Sequence, residues 1–356
     1  RELESALGRV LRDAAGDPAI PGVVAALHWP RRGFSWSSAA AGAGPHRDDG
    51  LDASCGFRMA SVTKMYVAAA TLRLVESGRL DLASPLASCL SEASLALLAS
   101  ASYDVRRISL DMLLTHTSGL PDHVHVADYS ERVVAEPGRR WTRAEQVELA
   151  ARAGRPLAAP GERFSYSDTG YVLLGEVLER FTGQPIGPAV RDLLDFGRLG
   201  LAQTFWEGLE RGPAVPARRA RRVLGDVDAT GFDPSFDLHG GGGLVSTVDD
   251  MARFAAALVS GQAFSIPATL AAALVVPAAQ RAPGAYVHSR VAMVLPLGAR
   301  LGWGHMGFWG CIAACCPELG LSVAASINQS QPARAGLLLA TAGRLVAAAE
   351  AALGWR

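Results

Sequence analysis

Strand-like patterns stand at the two ends of this 356-residue chain, with helical patterns between them. Short apolar runs bounded by proline and glycine are typical of buried strands. Such runs occur at residues 23–29, 33–40, 301–309, 311–316 and 321–327, and a turn at residues 317–320 joins the last two. Because strands need partners for their backbone hydrogen bonds, we predict that the two ends of the chain come together in one sheet.

The middle of the chain has a helical period instead. A helix is predicted over residues 61–75, with Gly78 just beyond its C-terminus. Further helical segments alternate with turns as far as about residue 235. The chain also begins with an amphipathic helix and ends with an Ala- and Leu-rich helix at residues 333–353.

These patterns divide the chain into two interlocked parts. Residues 1–58 and 240–356 are expected to form the sheet region, and residues 59–239 a mainly helical lobe. Clefts between two such parts are common positions for ligand sites.

Charge gives little indication of a macromolecular partner. The chain has 34 basic and 34 acidic residues, which argues against a nucleic-acid partner. The one basic cluster, at residues 218–222, is predicted to be a solvated loop. No apolar run is long and uninterrupted enough to predict a membrane span.

The five cysteines are odd in number, and three of them lie in the apolar run at residues 311–316. Buried free thiols are therefore predicted rather than a disulfide framework, which favours a cytoplasmic location. The first residues are typical of an amphipathic helix and not of a signal peptide. A leader removed before residue 1 would instead place the protein in the periplasm or outside the cell.

Lys64 is the single lysine of the chain, so every other residue among its 34 lysines and arginines is an arginine. Arginine can replace lysine where only a positive charge on a long side chain is needed, but it does not lose its proton near neutral pH. The one remaining lysine therefore indicates a position that requires an amine able to exchange a proton.

Ser61 precedes Lys64 by three residues at the start of the predicted helix. Positions i and i+3 share a helix face, so the hydroxyl and the amine can meet. The alternative is that Ser61 caps the helix and Lys64 is an exposed charge, but a cation in the first turn opposes the helix dipole. We favour a reactive Ser61 with Lys64 as its base, which requires the pKa of Lys64 to fall from about 10.4 to roughly 7–8.

Three short motifs of the chain are Ser61-Val62-Thr63-Lys64, Tyr166-Ser167-Asp168 and His305-Met306-Gly307. Together they resemble motifs of the serine β-lactamases and penicillin-binding proteins. Ser61-Val62-Thr63-Lys64 is similar to the motif whose serine forms the acyl-enzyme. Tyr166-Ser167-Asp168 is similar to the Tyr-x-Asn element of the class C β-lactamase and DD-peptidase branch. His305-Met306-Gly307 is similar to a third motif, Lys-Thr-Gly in lactamases and His-x-Gly in related esterases and peptidases. Stretches at residues 20–22, 114–120 and 241–247 extend the resemblance over nearly the full length.

The resemblance implies an α/β (α+β) fold of the β-lactamase/transpeptidase type. In this fold an antiparallel sheet is flanked by the N- and C-terminal helices, and a helical lobe is inserted. The resemblance also implies that Ser61 is the nucleophile and that Lys64 and Tyr166 handle its proton. The oxyanion would lie between the backbone N–H groups of Ser61 and Phe308, the residue after Gly307. No cofactor and no metal is expected.

Two residues depart from the family's pattern. Asp168 stands in place of the asparagine that donates to the substrate amide, so it is expected to bind substrate, to orient Lys64 or to cap the helix that follows. His305, which we predict to be a catalytic residue, stands where lactamases have a lysine, which favours the esterase and peptidase relatives over a β-lactamase. Gly307 is predicted to contribute to substrate binding by letting the backbone approach the ligand closely.

Three functions remain open at this point. The first is a serine hydrolase that acts on an amide or ester, of the DD-peptidase, D-amino-acid peptidase or esterase type. The second is an acyltransferase or peptide cyclase, in which an amine or alcohol replaces water. The third is a catalytically silent binding or sensor protein. The first two would take a small-molecule or peptide-like substrate, and the sequence leaves the oligomeric state open.

Overall fold

The computed structural model describes residues 1–211, 218–278, 287–330, 334–352 and 354. In these ranges the helices are α1 (Glu2–Ala15), α2 (Thr63–Glu76), α3 (Leu86–Cys89), α4 (Glu92–Ser100), α5 (Leu110–Leu114), α6 (Tyr129–Ala135), α7 (Arg143–Arg152), α8 (Asp168–Thr182), α9 (Ile186–Leu194), α10 (Phe196–Leu199), α11 (Val248–Val259), α12 (Pro267–Ala273) and α13 (Ala335–Ala352). The strands are β1 (Gly22–Trp29), β2 (Phe34–Ala41), β3 (Phe57–Arg58), β4 (Phe205–Trp206), β5 (Val223–Leu224), β6 (Val227–Asp228), β7 (Leu244–Ser246), β8 (Met293–Leu297), β9 (Arg300–Gly307), β10 (Cys311–Cys316) and β11 (Leu321–Ser326).

Strands from both ends of the chain form one large sheet, as predicted. In the described part of the chain its order is β2-β1-β11-β10-β9-β8, and every neighbouring pair is antiparallel. The N-terminal and C-terminal strands meet where β1 pairs with β11, with Val24 opposite Ser326. The predicted α/β (α+β) fold with an antiparallel sheet is therefore confirmed.

The two faces of this sheet are buried against different helices. Side chains alternate along a strand, so Val23 and Ala25 face a cluster that includes α1 and α13, while Val24 and Ala26 face a cluster that includes α2. α11 packs on the second face, in contact with β1, β10 and β11. The second cluster extends through α8 into the helical part of the chain.

Two neighbouring strands, β9 and β8, differ from the expectation drawn from the sequence. β9 ends at Gly307, two residues before the predicted end at Trp309, because the chain turns there before β10 begins. β8 was not predicted, since Pro296 interrupts its pattern. β8 lies at the edge of the sheet, where the missing N–H of a proline does not break a hydrogen bond between two interior strands.

The last helix, α13, matches the prediction in type and position, although the predicted end residues Ala333 and Leu353 lie outside the described residues. It is the one described helix long and apolar enough to cross a membrane by length and composition. Leu338, Leu345 and Val346 on this helix belong to the core cluster under the sheet. Core helices commonly have such a composition.

The basic cluster at residues 218–222 differs from the predicted solvated loop. Arg222 is 1% exposed, and Arg219 forms an ion pair with Glu207, which also pairs with Arg58. Burial lowers the pKa of Arg222 to about 9. The five cysteines are buried free thiols, as expected.

The small three-stranded sheet, in the order β3-β7-β4, joins segments from both parts of the predicted two-part division. The boundaries 1–58, 59–239 and 240–356 stay a prediction.

Candidate active site

The reactive serine lies in a tight turn that leads into α2. A 3₁₀ turn spans Ala60–Val62, and Ala60 has a φ of 44°, a left-handed conformation that is uncommon for a residue with a Cβ. The turn sets Ser61 before the first full turn of α2, where backbone N–H groups have no acceptor within the helix. Gly307 packs on the carbonyl of Met59, so closely that a Cβ at Gly307 would overlap this oxygen. β9 therefore runs directly beside the serine turn.

Lys64 points into the interior and is 1% exposed. Its Nζ donates to the Ser61 Oγ at 2.9 Å, to the Gly241 carbonyl oxygen at 2.7 Å and to the Asp168 carboxylate. An ammonium has three N–H donors, and these three acceptors share them with the nearby Tyr166 hydroxyl. The structure thus brings Ser61 and Lys64 together and buries the lysine, which excludes the exposed-charge alternative.

The protonation state of Lys64 differs from the sequence-based expectation. Burial by itself lowers the pKa of Lys64, but the charges of Asp168 and Tyr166 and their hydrogen bonds outweigh burial and raise the pKa above its ordinary value. The expectation of a Lys64 pKa near 7–8 is therefore wrong. Lys64 is a cation in the free protein, held by Asp168.

Asp168 is the first residue of α8, and the preceding Ser167 caps this helix by accepting from the Gly170 N–H at 3.3 Å. The alternative in which Asp168 is the cap is therefore wrong. Its carboxylate pairs with Lys64 instead, at a site where its side chain is 16% exposed. A contact of Asp168 with substrate stays a prediction.

Tyr166 stands over the lysine, with its ring centroid 5.2 Å from Nζ. Burial raises the pKa of Tyr166, and the Lys64 charge and hydrogen bonds to Lys64 and Ser61 only partly offset this effect. The phenol therefore carries its proton at rest. On its other side the ring stacks on His116, with 4.4 Å between centroids.

His305 belongs to a group of buried histidines. Its ring centroid lies 5.7 Å from that of His288, which lies 4.7 Å from that of His116. Burial and neighbouring charge lower the pKa of His305 well below its ordinary value, and burial lowers that of His288 to about 4. His305 is thus a neutral group, and its Nδ1 lies 2.6 Å from the Met306 carbonyl oxygen.

Sequence reasoning did not find His288, which lies in no motif. His116 lies in the stretch at residues 114–120 that extends the family resemblance, but sequence reasoning gave it no role in catalysis. Among the described residues no group of histidine, cysteine and acidic side chains has the arrangement of a metal site.

A cavity of about 200 Å³ opens at Ser61. Its lining residues in the described part of the chain are Ala60, Ser61, Val124, His125, Tyr129, Ser130, Val133, Asp168, Leu224, Phe236, Asp237, Phe308 and Trp309. The walls are mainly aromatic and aliphatic, and Phe308 is 57% exposed at this surface. Apolar pockets with a few polar groups are the usual form of small-molecule sites. A larger groove of about 440 Å³, which His28 and Arg253 help to line, contains none of the predicted site residues.

Phe308 and Ser61 both line the cavity, and their backbone N–H groups remain the predicted oxyanion hole. Sequence reasoning missed Asp237, the other carboxylate on the cavity wall besides Asp168. The one sequence feature near Asp237 that could have indicated it is the run of glycines at residues 240–243. Glycines allow the backbone to approach a side chain closely. A Cβ on Gly242 would overlap the Asp237 carboxylate.

The chain is similar in sequence to several known proteins. The relatives include esterase EstB of Burkholderia gladioli, 32% identical over 253 residues, which are 64% of this chain and 61% of the esterase. Penicillin-binding protein 4 of Amycolatopsis lactamdurans is 32% identical over 180 residues, which are 50% of this chain and 42% of that protein. The chain thus spans less than two thirds of the length of these relatives.

Solved structures show the same fold at lower identity. A D-stereospecific amidohydrolase from Streptomyces sp. superposes with a TM-score of 0.80 at 23% identity, over 95% of this chain and 98% of that one. The D-amino acid amidase from Ochrobactrum anthropi SV3 with bound D-phenylalanine superposes with a TM-score of 0.81 at 22% identity, over 99% and 100%. The family model described as Beta-lactamase matches residues 7–348, and the chain therefore belongs to the beta-lactamase family.

Proposed function

We propose that this chain is a serine hydrolase that cleaves an amide or an ester through a covalent acyl-enzyme on Ser61. The observation that carries the proposal is the ammonium of the single lysine, buried with its Nζ 2.9 Å from the Ser61 Oγ. Burying a cation costs several kcal/mol that its partners must offset. A structural serine needs no such neighbour, whereas a nucleophilic serine needs a group that manages its proton. The names of the relatives, an esterase and a penicillin-binding protein, support the same chemistry.

The protonation states suggest how the proton moves. Lys64 and Tyr166 both carry their protons at rest, so we infer a relay rather than a free amine acting as base. Tyr166 gives its proton to the leaving group, Lys64 gives a proton to the Tyr166 oxygen, and the neutral Lys64 amine accepts the Ser61 proton as Oγ bonds to the carbonyl carbon. Lys64 and Tyr166 each end with the number of protons with which they began. Water then enters by the reverse path and releases the acid.

His305 contributes a neutral imidazole rather than a cation. This favours an ester or amide whose leaving side carries no obligatory carboxylate, and it disfavours efficient β-lactam hydrolysis. The developing oxyanion is assigned to the N–H groups of Ser61 and Phe308.

The test is turnover of a panel of D- and L-amino-acid esters and amides by wild type and by Ser61→Ala, with and without an added amine. We expect wild type to release the acid and Ser61→Ala to be inactive while keeping its thermal unfolding midpoint. Product in which the amine replaces water would indicate an acyltransferase on the same acyl-enzyme. Equal turnover by both proteins would refute the proposal, and no turnover with any substrate would favour the silent binding protein.

A further inference from the structure

The cavity beside Ser61 contains a carboxylate that has no counterion in the described part of the chain. Asp237, at the end of the 3₁₀ turn Pro234–Asp237, lines this cavity together with Asp168. Asp168 is paired with Lys64. Among the described residues, by contrast, no side chain forms an ion pair or hydrogen bond with the Asp237 carboxylate, and no lysine or arginine lines the cavity.

The charges of Lys64 and Arg58 reach the Asp237 carboxylate, but neither cation pairs with it. Lys64 donates to Ser61, Asp168 and Gly241. The Nε and Nη2 atoms of Arg58 donate to Glu207 and to the Phe232 carbonyl oxygen, and its Nη1 has no hydrogen-bond partner among the described residues. A partly buried carboxylate in this position is costly unless a ligand supplies the positive charge.

The pKa of Asp237 is consistent with a carboxylate that lacks a counterion among the described residues. Burial and the charge of Asp168 raise the pKa of Asp237 to about 7, although Lys64 and Arg58 act in the opposite direction. The carboxylate is therefore only partly ionised near neutral pH in the free protein. A cation beside it would favour its ionised form.

The walls around Asp237 also suit a small organic cation. Phe236, Tyr129 and Trp309 present aromatic rings in the same cavity, and aromatic faces attract ammonium groups as well as apolar side chains. The volume of about 200 Å³ holds a compact group and not an extended peptide.

We propose that Asp237 is a specificity-determining residue that binds a positively charged amine on the acyl group of the substrate, while the aromatic walls bind the apolar remainder. The substrate class is then an ester or amide of an amino acid with a free amine and an apolar side chain. This inference rests on the proposed function, because it places the amine in the cavity that opens at Ser61.

The experiment compares three methyl esters that share one apolar side chain: phenylalanine with a free amine, N-acetylphenylalanine, and 3-phenylpropionic acid, which lacks the amine. The first two are used as both enantiomers. Wild type, Asp237→Asn and the control Asp192→Asn are assayed for kcat and KM. Asp192 is exposed on α9 and outside the cavity.

We expect wild type to prefer the free-amine ester of one enantiomer. Asp237→Asn should lower kcat/KM for that ester by about ten- to a hundredfold, mainly through KM, and should leave the amine-free ester within about twofold of wild type. Asp192→Asn should behave as wild type.

Two results would overturn the inference. One is an unchanged preference for the amine in Asp237→Asn. The other is an equal fall in kcat for all three esters, which would make Asp237 a base for water attack. Failure of the proposed function is a distinct outcome, since it would leave wild type and Ser61→Ala equally active or equally inactive on every ester.

Discussion

The ion pair between Lys64 and Asp168 should hold the lysine proton, and Asp168→Asn tests this directly. Asparagine keeps the shape and one oxygen acceptor but removes the negative charge. Two unit charges about 4 Å apart at an effective dielectric constant near ~20 attract each other by about 4 kcal/mol. At about 1.36 kcal/mol per pKa unit, the pKa of Lys64 should fall by roughly 3 units in the variant.

The chain offers an unusually simple readout because Lys64 is its single lysine. Protein labelled with ¹³C-lysine gives one lysine Cε signal, whose chemical shift follows the charge of Nζ. In wild type this signal should not titrate below about pH 10.4, since the folded pKa lies above the ordinary value. In Asp168→Asn the signal should titrate at or below about pH 10.4, because burial then lowers the pKa of Lys64 by more than the remaining charges raise it.

The free energy of unfolding should fall in Asp168→Asn, together with the pKa of Lys64. The folded pKa of Lys64 is raised, so the stabilisation from the pair is present at neutral pH and is lost as pH rises from about 10.4 through the folded pKa. Asp168→Asn should therefore lower the free energy of unfolding at neutral pH by about 3–5 kcal/mol, the usual cost of leaving one buried charge unpaired. The exposed Asp192→Asn is the control. A wild-type lysine signal that titrates near pH 8, or an Asp168→Asn pKa equal to that of wild type, would refute this reasoning.

Three further predictions concern the surroundings of the serine. Lys64→Arg should lower the acylation rate at least about a hundredfold, as measured by burst kinetics with an activated ester. The reason is that a planar guanidinium cannot direct donors from one atom to three acceptors. A rate near that of wild type would mean that any cation suffices at this position. Nitrocefin hydrolysis should be much slower than ester cleavage, because the imidazole of His305 is neutral where lactamases have a cation. Turnover of nitrocefin at the level of a dedicated lactamase would contradict this prediction. Gly307→Ala should cost about 1–3 kcal/mol in urea unfolding and lower activity, because its Cβ would overlap the Met59 carbonyl oxygen beside the serine turn. Gly336→Ala in α13 is the matched control: its Cβ meets nothing within 4 Å, and a stability between unchanged and about 1 kcal/mol higher is expected. Equal effects of the two alanines would show that the close approach at Gly307 has no importance.

The parts of the fold that follow from local patterns were predictable. β1 was found from its apolar run, and α2 from its helical period and from Gly78, which has a φ of 70° beyond its end. The contact of Ser61 with Lys64 was predictable too, because a separation of three residues on a helix fixes it. β8 was missed because Pro296 looks like a strand breaker, and only the order of strands in the sheet reveals that it lies at an edge.

Features that depend on distant segments could not be obtained in this way. The charge state of Lys64 is set by Asp168, which lies 104 residues away in the chain. The sequence therefore predicted the right residue with the wrong pKa. Arg222 looks like part of a solvated basic loop, yet it is buried beside Trp309. Asp237 becomes notable only in the fold, which places its carboxylate on an apolar wall where no described side chain pairs with it.

The central claim is that Ser61 forms the acyl-enzyme, and covalent labelling tests it most directly. Wild type and Ser61→Ala are treated with a fluorophosphonate, and the labelled residue is located by peptide mass mapping. We expect one adduct per chain, on Ser61, and no adduct on Ser61→Ala when that variant has the thermal unfolding midpoint of wild type. An adduct on another residue, or equal labelling of a folded Ser61→Ala, would contradict this claim.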